Sequence, residues 1–209
     1  MKKKHRDSQH RFYVEDGTYF VTSNTFNWHP YFKERIFCDL FVENLRLCKR
    51  LKGFYLYAWF LGYNHSYLLV RPGEEFGLSK VMQFLKRHIS RNINIIMGYK
   101  TEPNITPEGA IGQSRLRGGG YECFRQIIDE HDQKLKLLKF RFKTEYLNRN
   151  PYPKFKWEKS YHDHYIRNDD DFDNHWEYIK RNPEKHGLPD DWPYMFLNDE
   201  YEDLIDNPL

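Results

Sequence analysis

Polar and apolar positions along this chain follow two periods, and the change from one to the other marks out its elements. Residues 18–28 (TYFVTSNTFNW) begin with β-formers and drift into polar residues, which predicts a strand ending near Phe26. From about 33 to 52 the apolar positions Ile36, Leu40, Phe41, Leu47, Cys48 and Leu51 recur at helical spacing, and Gly53 stops the run. Residues 54–63 (FYLYAWFLGY) are apolar or aromatic on both alternating faces, the signature of a central strand. After a bend at Gly62, HSYLLVR (65–71) predicts the next strand, antiparallel to it and closed by Pro72-Gly73. A helix over roughly 77–97 follows, with Val81, Leu85, Ile89, Ile93 and Ile96 as its apolar stripe and Lys80, Lys86, Arg87, His88 and Arg91 on its basic side.

The second half is less regular. Residues 99–121 read as a loop rich in Gly and Pro that carries Arg115 and Arg117, and 122–148 read as charged helix, one long or two short. A loop and helix of this length is most simply an insertion, spanning 99–155, into a compact domain. Residues 156–167 (KWEKSYHDHYIR) are β-like. The next helix opens on Asn168 as its N-cap, has acids in its first turn, buries Phe172, Trp176 and Ile179, and is closed by Pro183 and Gly187. The order strand, helix, strand, strand, helix, insertion, strand, helix predicts an α+β fold. Its layout is ferredoxin-like (RRM-like), an antiparallel sheet with helices packed on one face. The domain then comprises 12–98 and 156–196, flanked by a basic tail (1–11) and an acidic tail (197–209).

Composition narrows the class of protein. Hydrophobic residues are 39% of the 209, but sixteen Tyr, sixteen Phe and five Trp supply large apolar areas to a core. No apolar run approaches the roughly 20 residues needed to span a bilayer, and the basic N-terminus has no apolar stretch behind it, so neither a membrane span nor a secretory signal is expected. Three cysteines without CxxC spacing provide no disulfide framework, and a reducing cytoplasm fits. The net charge of +3 conceals an asymmetry: residues 186–209 hold seven acids and no Lys or Arg, which leaves +10 on the rest. A body this basic suggests a polyanionic partner, and the acidic tail is either disordered or laid over basic surface.

Two local patterns carry candidate chemistry. Alternation in the strand 65–71 puts His65 and Tyr67 on one face, opposite the apolar Leu68 and Val70, and polar groups at i and i+2 of a strand converge on one small volume. His65 is a good metal ligand, whereas a neutral phenol at Tyr67 is a poor one. In the last helix Asp171, His175, Tyr178 and Asn182 are spaced by 4, 3 and 4 and share a face. A tyrosine on a rigid helix with a carboxamide one turn on suits a nucleophile beside a ligand. Taken alone, the first pattern reads rather as a lone hydrogen-bonded strand histidine and the second as a surface tyrosine on an amphipathic helix.

Taken together the two patterns resemble a known family. GYNHSYLLVRP (62–72) is similar to the MPNHVHLLV block of the HUH single-strand tyrosine transposases, and the start, GTYFVTSNTFNWHPYF, also looks like that family's first strand. The C-terminal block is the more specific. Trp157, Asp163, His164, Ile166, Arg167, Tyr178, Ile179, Asn182, Pro183, Lys185, His186 and Gly187 match, in order, the REP-associated tyrosine transposases. The likeness covers 12–98 and 156–196 and omits the insertion.

The resemblance implies Tyr178 as nucleophile, His65 and Asn182 as metal ligands, His164 as a further ligand or phosphate contact, and Mg²⁺ or Mn²⁺ as the ion. It implies cleavage and rejoining of single-stranded or hairpin DNA through a 5′-phosphotyrosine link, in the cytoplasm, at the nucleoid, by a monomer as in the REP-associated group, with a dimer, as in the insertion-sequence group, as the alternative. Basic groups at Lys86, Arg87, Arg91, Arg115 and Arg117 would then follow the DNA backbone. Tyr67 departs from the family, which has its second histidine there. A site completed by His164 or another group, a weakened site, and a relative that binds structured DNA without cutting it all stay open.

Overall fold

The computed structural model describes residues 13–14, 16–100, 120–146 and 152–208. Arg115 and Arg117, the basic tail and nearly all of the 99–121 loop lie outside the described residues. The elements are β1 (Tyr19–Asn24), α1 (Arg35–Lys52), β2 (Tyr55–Leu61), β3 (His65–Arg71), α2 (Leu78–Ile96), α3 (Gly120–Glu145), β4 (His162–Tyr165), α4 (Asp169–Lys180) and the short α5 (Asn182–Lys185). The four strands form one antiparallel sheet in the order β2-β3-β1-β4.

Local chemistry explains the boundaries. The predicted first strand stops at Asn24 rather than Phe26, because Phe26–Trp28 turn into a 3-10 loop in which Asn27 and Trp28 have positive φ (53° and 54°). Helix α1 ends where expected: Gly53 adopts the left-handed conformation (φ 62°, ψ 44°) and returns its N–H to the Lys49 carbonyl. The Asn168 side chain accepts from the Asp171 N–H at 2.9 Å, capping α4 as the sequence predicts.

The inner face of the sheet, bearing Tyr19, Val21, Leu68, Val70 and Trp59, is covered by α1 and α2, with Phe41 stacked on Trp59. Helix α3 lies over both of those helices as a further layer through Phe124, Ile127, Leu135 and Leu138. The helix of the expected insertion is therefore packed against the hydrophobic core. At the junction of the three helices Asn92 donates to Asn44 Oδ1 (2.9 Å) and lies 3.0 Å from His131 Nε2.

Two expectations change. Strand β2 reads as central but stands at the sheet edge. Its burial comes from the C-terminal segment, which runs along it: Leu61 N–H donates to Tyr194, Phe196 N–H to Trp59 and Asp206 N–H to Leu56. Covering the edge in this way removes an open hydrogen-bonding rim. The acidic tail is thus folded, with Tyr201 and Leu204 buried and Asp203 and Asp206 paired to Arg46 and Lys49 of α1.

The second change is at His88, which belongs to the core and not to the basic side of α2. It is buried and stacked on Phe84 at 4.0 Å. Burial pushes its pKa down to about 3, and that of His131 down to about 4. Both are neutral when folded and regain the ordinary value of 6.5 when unfolded. Between pH 6.5 and about 4 the unfolded chain therefore binds more protons, and stability falls as pH falls through that window. Urea midpoints are expected to drop between pH 7 and pH 5, above the main carboxylate range, and a midpoint constant over that interval would contradict the neutral-histidine assignment.

Candidate active site

The outer face of the sheet carries His65, Tyr67 and Leu69 of β3, Asn24, Thr22 and Phe20 of β1, and His164 of β4, because paired residues share a face and the registers are Asn24↔His65, Thr22↔Tyr67, Phe20↔Leu69 and Phe20↔His164. The sequence suggests that this face is open. It is instead covered by α4 and α5, so that His65 is only 3% exposed and Tyr67 is buried as well. Helix α4 meets β2 through Phe172, whose ring packs on Tyr57 at 5.5 Å. The β-bulge between Leu56 and Ala58 supplies Tyr57 as the extra residue for that contact. The face of α4 expected to point away from the core also meets the sheet, since Phe20 contacts His175 (4.7 Å) and Tyr178 (5.8 Å).

His65 is held by a short chain of backbone and carboxamide groups. Asn64 donates its Nδ2 to the Trp28 carbonyl (3.2 Å), which turns its Oδ1 toward His65 Nδ1 at 2.9 Å. A carboxamide oxygen only accepts, so Nδ1 carries the proton and Nε2 presents a lone pair. Burial, and then the neighbouring His186, push the His65 pKa down to about 4, so this lone pair is available at neutral pH. Nε2 is buried and has no hydrogen-bond partner. Gly62 makes room for the ring: a Cβ there would lie 2.6 Å from His65 Cε1.

Asn182 completes the arrangement from the other side. It is 0% exposed and donates Nδ2 to the Tyr178 carbonyl at 3.0 Å. Its Oδ1 is buried and close enough to His65 to favour a proton on that ring, yet among the described residues neither this oxygen nor His65 Nε2 makes a hydrogen bond of normal geometry. An imidazole nitrogen and a carboxamide oxygen, both orphaned and both dehydrated, are costly unless a further group joins them.

Tyr178 stands beside this pair. Its hydroxyl is 3.3 Å from that of Tyr67, and the Lys185 ammonium sits 4.1 Å from its ring centroid. Burial, and then the bond to Tyr178, push the Tyr67 hydroxyl well above the ordinary phenol pKa, so Tyr67 is a neutral hydrogen-bonding partner of Tyr178.

The structure thus brings together His65, Tyr67, Tyr178 and Asn182. It does not bring His164 to them. His164 Nε2 lies 3.0 Å from Asp171 Oδ2, its ring stacks on His175 at 4.7 Å, and the Phe20 ring stands between this cluster and Tyr67. The proposed basic track fares similarly. Lys86 donates to the Glu158 and Ser160 carbonyls (3.1 and 2.7 Å), and Arg87 and Arg91 ride on α2, in the helical layer on the opposite face of the sheet.

Two groups escape the sequence reading as site residues. His186 lies 4.5 Å from the His65 ring, its own pKa lowered by burial and then by Lys185. Asn64 sets the His65 tautomer. The signal for His186 was present in the NP-KHG match, but only folding shows what it approaches.

Replacing Gly62 by Ala is expected to push the His65 ring out of place and to cost about 1–3 kcal/mol of stability, as overpacking does. A shifted His65 ring resonance in NMR with a lowered urea midpoint checks this; an unmoved ring would show that Gly62 has no such role.

Among solved structures, the chain is similar to a REP-associated tyrosine transposase bound to a REP hairpin, with a TM-score of 0.58 and 18% identity, covering 96% of this chain and 89% of that one. No family model matches the chain, and no curated protein matches it in sequence. At this identity the likeness is one of architecture: this chain has the fold of a REP-associated tyrosine transposase.

Proposed function

We propose that the protein is a DNA-strand transesterase of the REP-associated tyrosine transposase type, which cleaves and rejoins hairpin-forming single-stranded DNA through a 5′-phosphotyrosine at Tyr178. The observation that carries this reading is a pair of buried, unpartnered metal-type donors, His65 Nε2 and Asn182 Oδ1, next to Tyr67, whose hydroxyl lies 3.3 Å from that of Tyr178. The likeness in fold to a transposase bound to a DNA hairpin supports it.

The donor set fits Mn²⁺ or Mg²⁺. A carboxamide oxygen suits either ion, an imidazole suits the former better, and a neutral phenol suits neither. His65 and Asn182 would hold the ion, and His186, next to His65, would serve in place of the histidine that Tyr67 replaces. When bound, the ion supplies Lewis-acid polarisation of the scissile phosphate and offsets its charge.

The remaining work falls to the chain. The Tyr178 oxygen attacks phosphorus; the new O–P bond forms as the bond to the 3′ oxygen breaks, and that oxygen leaves as a hydroxyl carrying a proton. Tyr67 orients the attacking hydroxyl by their hydrogen bond, and Lys185 places a positive charge beside the ring as the phenol loses its proton. The phosphotyrosine conserves the energy of the phosphodiester, so a second strand end can reverse the step. Trp28, 59% exposed, and Phe26 stand at the loop that Asn64 ties to His65, where unpaired bases can stack on them.

A hairpin oligonucleotide with a 5′ single-stranded extension, incubated with the chain and Mn²⁺, is expected to give a covalent adduct that survives denaturing electrophoresis. Tyr178→Phe and chelation should each reduce it to background. His186→Ala should weaken Mn²⁺ binding by at least the about tenfold typical of groups that support a metal site. Absence of any adduct with Mg²⁺ or Mn²⁺ on hairpins from the DNA flanking the gene would refute catalysis.

A second reading is favoured by Tyr67: a relative that binds structured DNA without cutting it. It expects hairpin affinity unchanged by chelator and by Tyr178→Phe, and nicking that emerges only in Tyr67→His.

A further inference from the structure

We propose that His164, Asp171 and His175 form a second cation site, distinct from His65 and Asn182, which takes a borderline transition ion of the Zn²⁺ class and pins β4 to α4. One nitrogen of each ring and one carboxylate oxygen of Asp171 all lie within 4.8 Å of one another. Asp171 Oδ1 is 3.2 Å from His164 Nε2 and 3.1 Å from His175 Nδ1. A tetrahedral zinc with bonds of about 2.0–2.1 Å holds its ligand atoms roughly 3.3 Å apart, so these separations need little change.

The three ligands come from well-ordered places. His164 is fixed on β4 by the register Phe20↔His164. Asp171 lies in the first turn of α4, where its Oδ2 also accepts the Arg167 N–H at 3.1 Å. His175 follows one turn later, its Nδ1 also 2.7 Å from the Asp171 carbonyl. An ion bound at Nδ1 takes the place of this contact, and Nε2 then carries the ring's proton.

The donor set selects the ion. Two imidazoles and one carboxylate favour borderline ions over Mg²⁺ or Ca²⁺, which prefer oxygen ligands. Side-chain exposures of 39%, 21% and 22% for His164, Asp171 and His175 leave a fourth position open to water. Both rings enter as neutral imidazoles, and any proton they carry is released to solvent on binding.

Position gives the site its consequence. His175 lies one helical turn before Tyr178, and Phe20 touches both. An ion joining His175 to β4 would tie α4 to the edge strand and so stiffen the setting that Phe20 gives the Tyr178 ring. The inference is independent of what Tyr178 does.

The test uses the full chain with His65→Ala and Asn182→Ala, which silences the first site. Zn²⁺ titrated into this protein by calorimetry, with Co²⁺ absorption as a second readout, is expected to show an equivalent that disappears on adding His164→Gln. The thermal midpoint of the background protein should rise with Zn²⁺, and that of the His164→Gln protein should not. Asp171→Asn should act likewise, but His164→Gln decides, since His164 is half-exposed and its loss leaves the α4 cap intact. Equal Zn²⁺ stoichiometry and affinity with and without His164→Gln would overturn the proposal, as would a background protein that binds no Zn²⁺.

Discussion

The contact on which this site depends is the seating of α4 on the outer face of the sheet, and its pivot is Phe20. The ring lies 5.3 Å from Tyr67, 4.7 Å from His175 and 5.8 Å from Tyr178. It therefore fixes the height and the rotation of the helix relative to β3. Without this contact the Tyr178 hydroxyl would have no defined relation to His65. Phe172 against Tyr57 and Trp176 against Phe196 make the second line of contact, so the helix is held along two rows and cannot roll.

Burial of the outer face then sets the chemistry. An exposed His65 would titrate near its ordinary value and meet water. Under α4 and α5 it is held neutral, its tautomer chosen by Asn64, its Nε2 lone pair without a hydrogen-bond partner of normal geometry among the described residues. Proteins rarely leave two such atoms unpartnered in one place, and functional sites are where the exceptions gather. The sparsely populated backbone at Asn27 and Trp28 belongs to the same region, since the Trp28 carbonyl is what orients Asn64.

The inner face follows a different logic. Its helices, α1 and α2, are joined by a third helical layer and a folded acidic tail, so the basic residues of α1 are largely engaged within the chain. Charge counted along the sequence overstates what is offered to a polyanion. The cations beside the outer-face site, Lys185 over Tyr178 and Lys156 over Phe26, are fewer but better placed.

Much of the fold was legible because it rests on local rules. Strand β3 and helices α1, α2 and α4 follow from periodicity, Gly53 and Asn168, each of which acts within one turn of itself. Tyr178 and His65 could be singled out because residue type and spacing survive on a single element, and Asn182 because it follows one turn on, although it opens the separate helix α5. What the sequence could not yield is anything that depends on which element covers which. β2 looks central because it is buried on both faces, yet the burial comes from residues more than 130 positions away. His164 looks like a spare ligand for His65, and only the Phe20 ring between them separates the two. His186 gains meaning only from the 4.5 Å that folding leaves between it and His65. Local backbone preference is written along the chain; proximity between elements is decided by packing, and the chemistry of this site is a matter of proximity.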